Sequence, residues 1–113
     1  MRIPTPRTVA VIDSDISSLL RAQGVATRAG YTATLYRTTE SFLVSLRFAV
    51  PECVLMDVAQ MKQECRRVVD ELNRQELDVT ILGVSDAEID LARALLEARA
   101  HHAPANQELA MAA

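Results

Sequence analysis

Short, unbroken apolar runs alternating with helical stripes restrict this fold more than any other feature of the chain. VAVI (residues 9–12) and CVLM (53–56) are too brief for helices and too continuous for strands with one wet face. Such runs suit strands buried on both sides, as in a parallel sheet covered by helices. TATLY (32–36) reads as a second strand, its Thr and Tyr marking an exposed edge, and VTILGV (79–84) as a fourth.

Helical periodicity fills the gaps. Residues 15–29 place Ile16, Leu19, Leu20 and Ala26 on one predicted inward face, and Gly30 stops the helix. Thr38 or Thr39 caps a second helix running to about residue 49, with Phe42, Leu43 and Leu46 turned inward. A third helix, about 64–76, carries Cys65, Val68, Val69 and Leu72 at i, i+3, i+4 and i+7. Residues 86–100 make a fourth. The series βαβαβαβα demands right-handed crossovers and helices on both faces of a parallel sheet. The expected fold is therefore α/β: a doubly wound parallel sheet of strand order 2-1-3-4. The fifth strand is missing or atypical, because HHAPANQELAMAA (101–113) offers at best a short amphipathic turn over 107–112.

At 113 residues the chain is expected to be one domain, with 1–7 as an N-terminal extension and 101–113 as an atypical C-terminal segment. Half of the residues are hydrophobic but only two Tyr and two Phe are present, so aliphatic side chains must build the core. A net charge of −3 with scattered arginines provides no basic stripe, so nucleic acid is not an expected partner. No apolar run approaches the roughly 18 residues of a membrane helix, and MRIPTPR lacks the apolar stretch of a signal peptide. No membrane partner is expected. Cys53 and Cys65 form neither a short metal pair nor a disulfide framework and read as small buried hydrophobes, so a reducing cytoplasm is the expected location. His101 and His102, in an Ala- and Pro-rich tail, read as solvated, and Tyr36 and Phe42 as packing residues.

In a sheet of this order, strands 1 and 3 are neighbours whose helices leave on opposite faces, opening a crevice at their carboxyl ends. Asp13 follows strand 1, Asp57 follows strand 3 and Ser85 follows strand 4, all on one predicted rim. Two close carboxylates repel by a few kcal/mol at ~4 Å on an intermediate effective dielectric. A hard cation such as Mg²⁺ relieves that repulsion.

These residues resemble a response-regulator receiver domain. VAVIDSD, AGY, TTESFL, CVLMD and ILGVS follow one another in that family's order between residues 8 and 100. The resemblance implies a flavodoxin-like fold and a role in two-component phosphorelay signalling, in which a histidine kinase or histidine phosphotransfer protein donates a phosphoryl group. It implies that Asp57 is the phosphoacceptor, that Asp13, Asp57 and Asp15 are the acids available to Mg²⁺, and that Ser85 is the switch hydroxyl. It implies no enzyme turning over a substrate of its own.

Three departures from the family pattern imply a degenerate site. Ser14 stands where a second adjacent acid is usual, leaving Asp15 one residue further on and also suited to capping the first helix. DVAQMK replaces the usual Met-Pro-containing loop after the acceptor. The family's lysine after strand 5 has no counterpart, because the sole lysine is Lys62 and only Arg93 or Arg99 carries a comparable charge further on.

The sequence therefore predicts weak Mg²⁺ binding or none, and impaired or atypical phosphorylation at Asp57. The alternative is a pseudo-receiver acting as an interaction or dimerisation module without phosphate. A flavodoxin-like cofactor binder fits less well, since DSDIS presents negative charge where a phosphate cradle is needed. Ser85 also begins SDAE, a capping box for the fourth helix. An uncovered apolar fourth strand predicts a homodimer through the strand 4 and helix 4 face, or a tail packed there. An output domain on a longer protein is equally compatible with such a chain.

Overall fold

A computed structural model describes residues 4–83. Their elements are β1 (Thr5–Ile12), α1 (Ile16–Arg28), β2 (Thr32–Tyr36), α2 (Thr39–Ser45), β3 (Pro51–Met56), α3 (Lys62–Arg74) and β4 (Thr80–Gly83). The four strands form a parallel sheet of order β2-β1-β3-β4, the flavodoxin-like arrangement predicted from the alternation of runs and stripes. The fourth helix, the segment 101–113 and the strand 4/helix 4 dimer face fall wholly or partly outside the described residues.

Strand alternation divides the core in two. Val9, Val11, Cys53 and Leu55 pack against Leu19, Ala22, Val25 and Ala26 of α1. On the other face, Ala10, Ile12, Val54 and Met56 pack against Phe42 and Leu46 from the second helical segment and Val68 and Leu72 of α3. Successive side chains of a strand point to opposite faces, so an unbroken apolar run is what a sheet with helices on both sides requires. Tyr36 and Phe42 meet edge to face, with centroids 5.6 Å apart and an interplanar angle of 73°.

Several boundaries differ from the sequence expectation. Residues 5–7, expected to form an extension, belong to β1: the Thr5 N–H donates to the Val50 carbonyl at 2.7 Å. A register shift separates the Thr5–Pro51 pair from the Val9–Cys53 pair, and Arg7 takes a left-handed φ of 55°. Pro6, which lacks an N–H, is tolerated because this part of β1 extends beyond its pairing with β2.

The α2 helix stops at Ser45, short of residue 49, because Leu46, Arg47 and Phe48 donate to carbonyls only three residues back. That tighter winding keeps Leu46 buried and leaves Phe48 84% exposed. On α1, Ile16 and Leu20 were expected inside but are 52% and 56% exposed. The buried stripe runs through Leu19, Ala22, Val25 and Ala26, and at 3.6 residues per turn Ile16 and Leu20 lie well around the cylinder from its centre. On α3, Val68 and Leu72 are buried, whereas Val69, expected on the same stripe, is exposed.

Both long helices end with the same paired bonds. After α1, Gly30 N–H donates to Thr27 and Tyr31 N–H to Ala26, with Gly30 at φ 89°, where a residue without Cβ is favoured. After α3, Glu76 donates to Asn73 and Leu77 to Leu72, but Glu76 itself adopts φ 56°. Thr38 rather than Thr39 caps α2, its Oγ1 accepting from Ser41 N–H at 3.1 Å. Thr39 is buried, and its hydroxyl has no partner among the described residues.

Candidate functional site

Sheet register places the candidate side chains. In the β1–β3 ladder, Val11 is opposite Leu55, so two residues further along Asp13 lies level with Asp57. The two acids leave adjacent strands at their carboxyl ends, where α1 and α3 depart to opposite faces of the sheet. Both are half-buried. The structure therefore brings Asp13 and Asp57 together at one mouth. Ser85, Arg93, Arg99, His101 and His102 lie outside the described residues.

Each aspartate also organises its own loop. Asp13 Oδ1 accepts the Asp15 N–H at 2.9 Å, and Asp57 Oδ1 accepts the Gln60 N–H at 3.1 Å. The Asp57 carbonyl accepts from Met61 N–H at 2.8 Å, closing a single turn that leads into α3. These bonds fix the two carboxylates by one oxygen each. Among the described residues neither Oδ2 has a hydrogen-bond partner, which leaves that oxygen as the one suited to external chemistry.

Asp15 has a different assignment. It is the N-cap of α1, its Oδ2 accepting from Ser18 N–H at 3.2 Å and from the Ser18 hydroxyl at 2.8 Å. The Ser18 hydroxyl first, and then the Ser18 N–H, hold its carboxyl below the usual carboxylate range. A carboxylate held this way satisfies a helix terminus through one of its oxygens.

The mouth offers a divalent cation one carboxylate fewer than the receiver pattern. Ser14 supplies no carboxylate, Asp15 is taken by the cap, and among the described residues no three His, Cys, Asp or Glu side chains gather to hold a metal ion. Mg²⁺ prefers near-octahedral oxygen coordination with one or two carboxylates and resists full dehydration. Two partly engaged aspartates, with a cationic side chain following the adjacent strand, make a weak start for that shell.

That cationic side chain, Arg37, was missed by the sequence reading. Ile12 is opposite Tyr36 in the β1–β2 ladder, and Asp13 N–H donates to the Tyr36 carbonyl at 3.1 Å, so Arg37 stands level with Asp13 on the side away from Asp57. Its Nη2 reaches across the strand ends to the Ser14 carbonyl at 3.4 Å. The signal was present in the sequence: Arg37 directly follows strand 2, just as Asp13 and Asp57 follow strands 1 and 3. Lys62, by contrast, lines a shallow groove on α3 with Gln63, Arg66, Arg67 and Asp70.

Other polar and ionic groups are structural. Arg67 bridges Glu40 of α2 at 2.7 Å and Glu64 at 3.4 Å, tying the two helices on the surface. Cys53 is fully buried; burial first, and then the nearby Glu52 charge, push its thiol up to about 11, so it is inert at neutral pH. Cys65 is partly buried against the α2–α3 face. No helix among the described residues is long and apolar enough to cross a membrane.

Comparison with solved structures agrees with this geometry at the level of the fold. A response regulator from Thermotoga maritima superposes with a TM-score of 0.55 at 18% identity, covering 83% of this chain and 79% of that one. An uncharacterized protein from Neptuniibacter caesariensis gives a TM-score of 0.55 at 14% identity, over 85% of this chain and 89% of that one. A de novo designed Rossmann fold protein gives 0.53 at 21% identity, over 81% and 96%. No protein-family model matches the chain, and no curated protein does.

Proposed function

We propose that this chain is a receiver-like signalling domain of phosphorelay type, with Asp57 as an atypical phosphoacceptor. The observation that carries the reading is the level placement of Asp13 and Asp57 on neighbouring strand ends at the crossover point of the sheet. The proposed donor is the phosphohistidine of a histidine kinase or a histidine phosphotransfer protein. Asp57 Oδ2 attacks phosphorus, the P–N bond breaks, and its electron pair returns to the imidazole, which leaves as the neutral ring after taking a proton. The protein catalyses no turnover of its own; the change at Asp57 alters the surface that a partner reads. Transfer is slow because charge on the moving phosphoryl group is stabilised by few groups in place. Ser85 is the proposed switch hydroxyl.

A second reading, a phosphate-independent interaction module, is supported by the commitment of Asp15 to the α1 cap and by Ile16 and Leu20 standing exposed on the same helix. Incubation with phosphoramidate, followed by intact-protein mass measurement, separates the two. Addition of one phosphoryl mass to the wild-type chain, absent in Asp57→Asn, supports the acceptor. An unchanged mass under conditions that label a known receiver control supports the interaction module instead.

A further inference from the structure

We propose that Arg37, rather than a divalent cation, is the counter-charge of this mouth and pairs with a phosphoryl group carried by Asp57. The inference rests on the phosphoacceptor reading and extends it to the question of what neutralises the added charge. Three observations converge. Arg37, Asp13 and Asp57 follow three adjacent strands at one level, in the spatial order cation, acid, acid. The Arg37 guanidinium already leans over the loop after β1, donating to the carbonyl of Ser14, the residue that displaces a carboxylate from that loop. The remaining nearby acid, Asp15, is fixed by Ser18.

Adjacent strands lie about 4.8 Å apart, so the Arg37 and Asp57 backbones are separated by about 10 Å across β1. A long arginine stem reaching inward and a phosphoryl group reaching outward together span that gap. The Ser14 contact, at 3.4 Å on an exposed side chain, is long and easily exchanged for a stronger one. A guanidinium presents its N–H groups in a planar fork that matches two phosphoryl oxygens, and it stays charged at every physiological pH. It also repels a second cation, which weakens Mg²⁺ binding at the same mouth. Arg37 thus binds the phosphoryl group and, by leaving Ser14, passes the state of Asp57 to the loop that starts α1.

The test titrates beryllofluoride into the isotope-labelled full chain in metal-depleted buffer and again with magnesium, following the Asp57 and Ser14 amides and the Arg37 Nε resonance. The wild-type chain is expected to saturate in both buffers, with midpoints within about threefold. In metal-depleted buffer, Arg37→Ala is expected to raise the midpoint about tenfold or more, the loss expected for a hydrogen bond to a charged group, and Arg37→Lys to recover part of it. Arg37 is exposed, so an otherwise unchanged amide spectrum certifies that the variants fold. Saturation only with magnesium, or an Arg37→Ala midpoint equal to the wild type, overturns the role of Arg37 and leaves Asp57 as acceptor. Absence of any saturable shift in either buffer overturns both.

Discussion

Replacing Phe42 with leucine tests whether the aromatic contact beneath the second helical segment holds β2, and hence Arg37, in place. Phe42 is fully buried and meets Tyr36 edge to face at 5.6 Å, immediately before Arg37. An aromatic pair of this geometry contributes about 0.5–1.5 kcal/mol beyond its burial. Leucine also leaves a void of about 30 Å³, which at roughly 24 cal/mol per Å³ adds about 0.7 kcal/mol. The expected cost is therefore about 1–2 kcal/mol, a measurable part of a small domain's stability of about 5–15 kcal/mol. Urea unfolding should show a lower midpoint with an unchanged slope, since the surface exposed on unfolding barely changes. A double-mutant cycle with Tyr36→Leu should return a coupling of about 0.5–1.5 kcal/mol. A cost under about 0.5 kcal/mol, with the two substitutions additive, would refute the packing argument.

Three further outcomes follow from other parts of the molecule. Glu76→Gly should stabilise the chain by about 0.5–1 kcal/mol in the same urea assay, because the α3 terminus holds this residue at φ 56°, where a Cβ is penalised. Asp15→Asn should retain α1, since asparagine also caps, and should leave beryllofluoride binding unchanged, whereas Asp15→Ala should weaken the helix by circular dichroism. Because the folded state lowers the Asp15 pKa, its charged-form contribution is present above the ordinary carboxylate range and lost as pH falls through it; Asp15→Asn should flatten stability measured across acid pH. For Cys53 the sign is reversed: the unfolded thiol ionises near 9.0 and the folded one at about 11, so the unfolded state loses its proton first. Stability should fall over that interval more for the wild type than for Cys53→Ala, and below it a thiol reagent should label Cys65 before Cys53.

The sheet was legible because strands covered on both faces must be apolar at every position, which VAVI and CVLM satisfy without interruption. Their offset to Asp13 and Asp57 followed directly. Asp15 as a cap was readable from an acid placed three residues before Ser18. The start of β1 was not readable, since Pro6 and Arg7 argue against a strand and only a local register shift admits them. Nor was the true inward face of α1. Leu20 is as apolar as Leu19, and Ala22 and Ala26 decide the stripe by letting the helix approach the sheet, which composition alone does not disclose. Arg37 was not legible because a cation after β2 joins this rim only through the register of β2 with β1, which sets it level with Asp13.

The proposed phosphoacceptor role requires residues 13 and 57 to share one mouth, and a cross-link measures that directly. Neighbouring strand positions lie close enough for a disulfide, whose Cα separation is about 4.4–6.8 Å. In a Cys65→Ser background, with Cys53 buried and protonated, Asp13→Cys combined with Asp57→Cys should oxidise rapidly to an intramolecular 13–57 bond located by peptide mass mapping. The pair Asp15→Cys and Asp57→Cys should oxidise far more slowly, because residue 15 caps α1. Equal rates for the two pairs, or no 13–57 bond in a folded chain, would contradict the shared mouth.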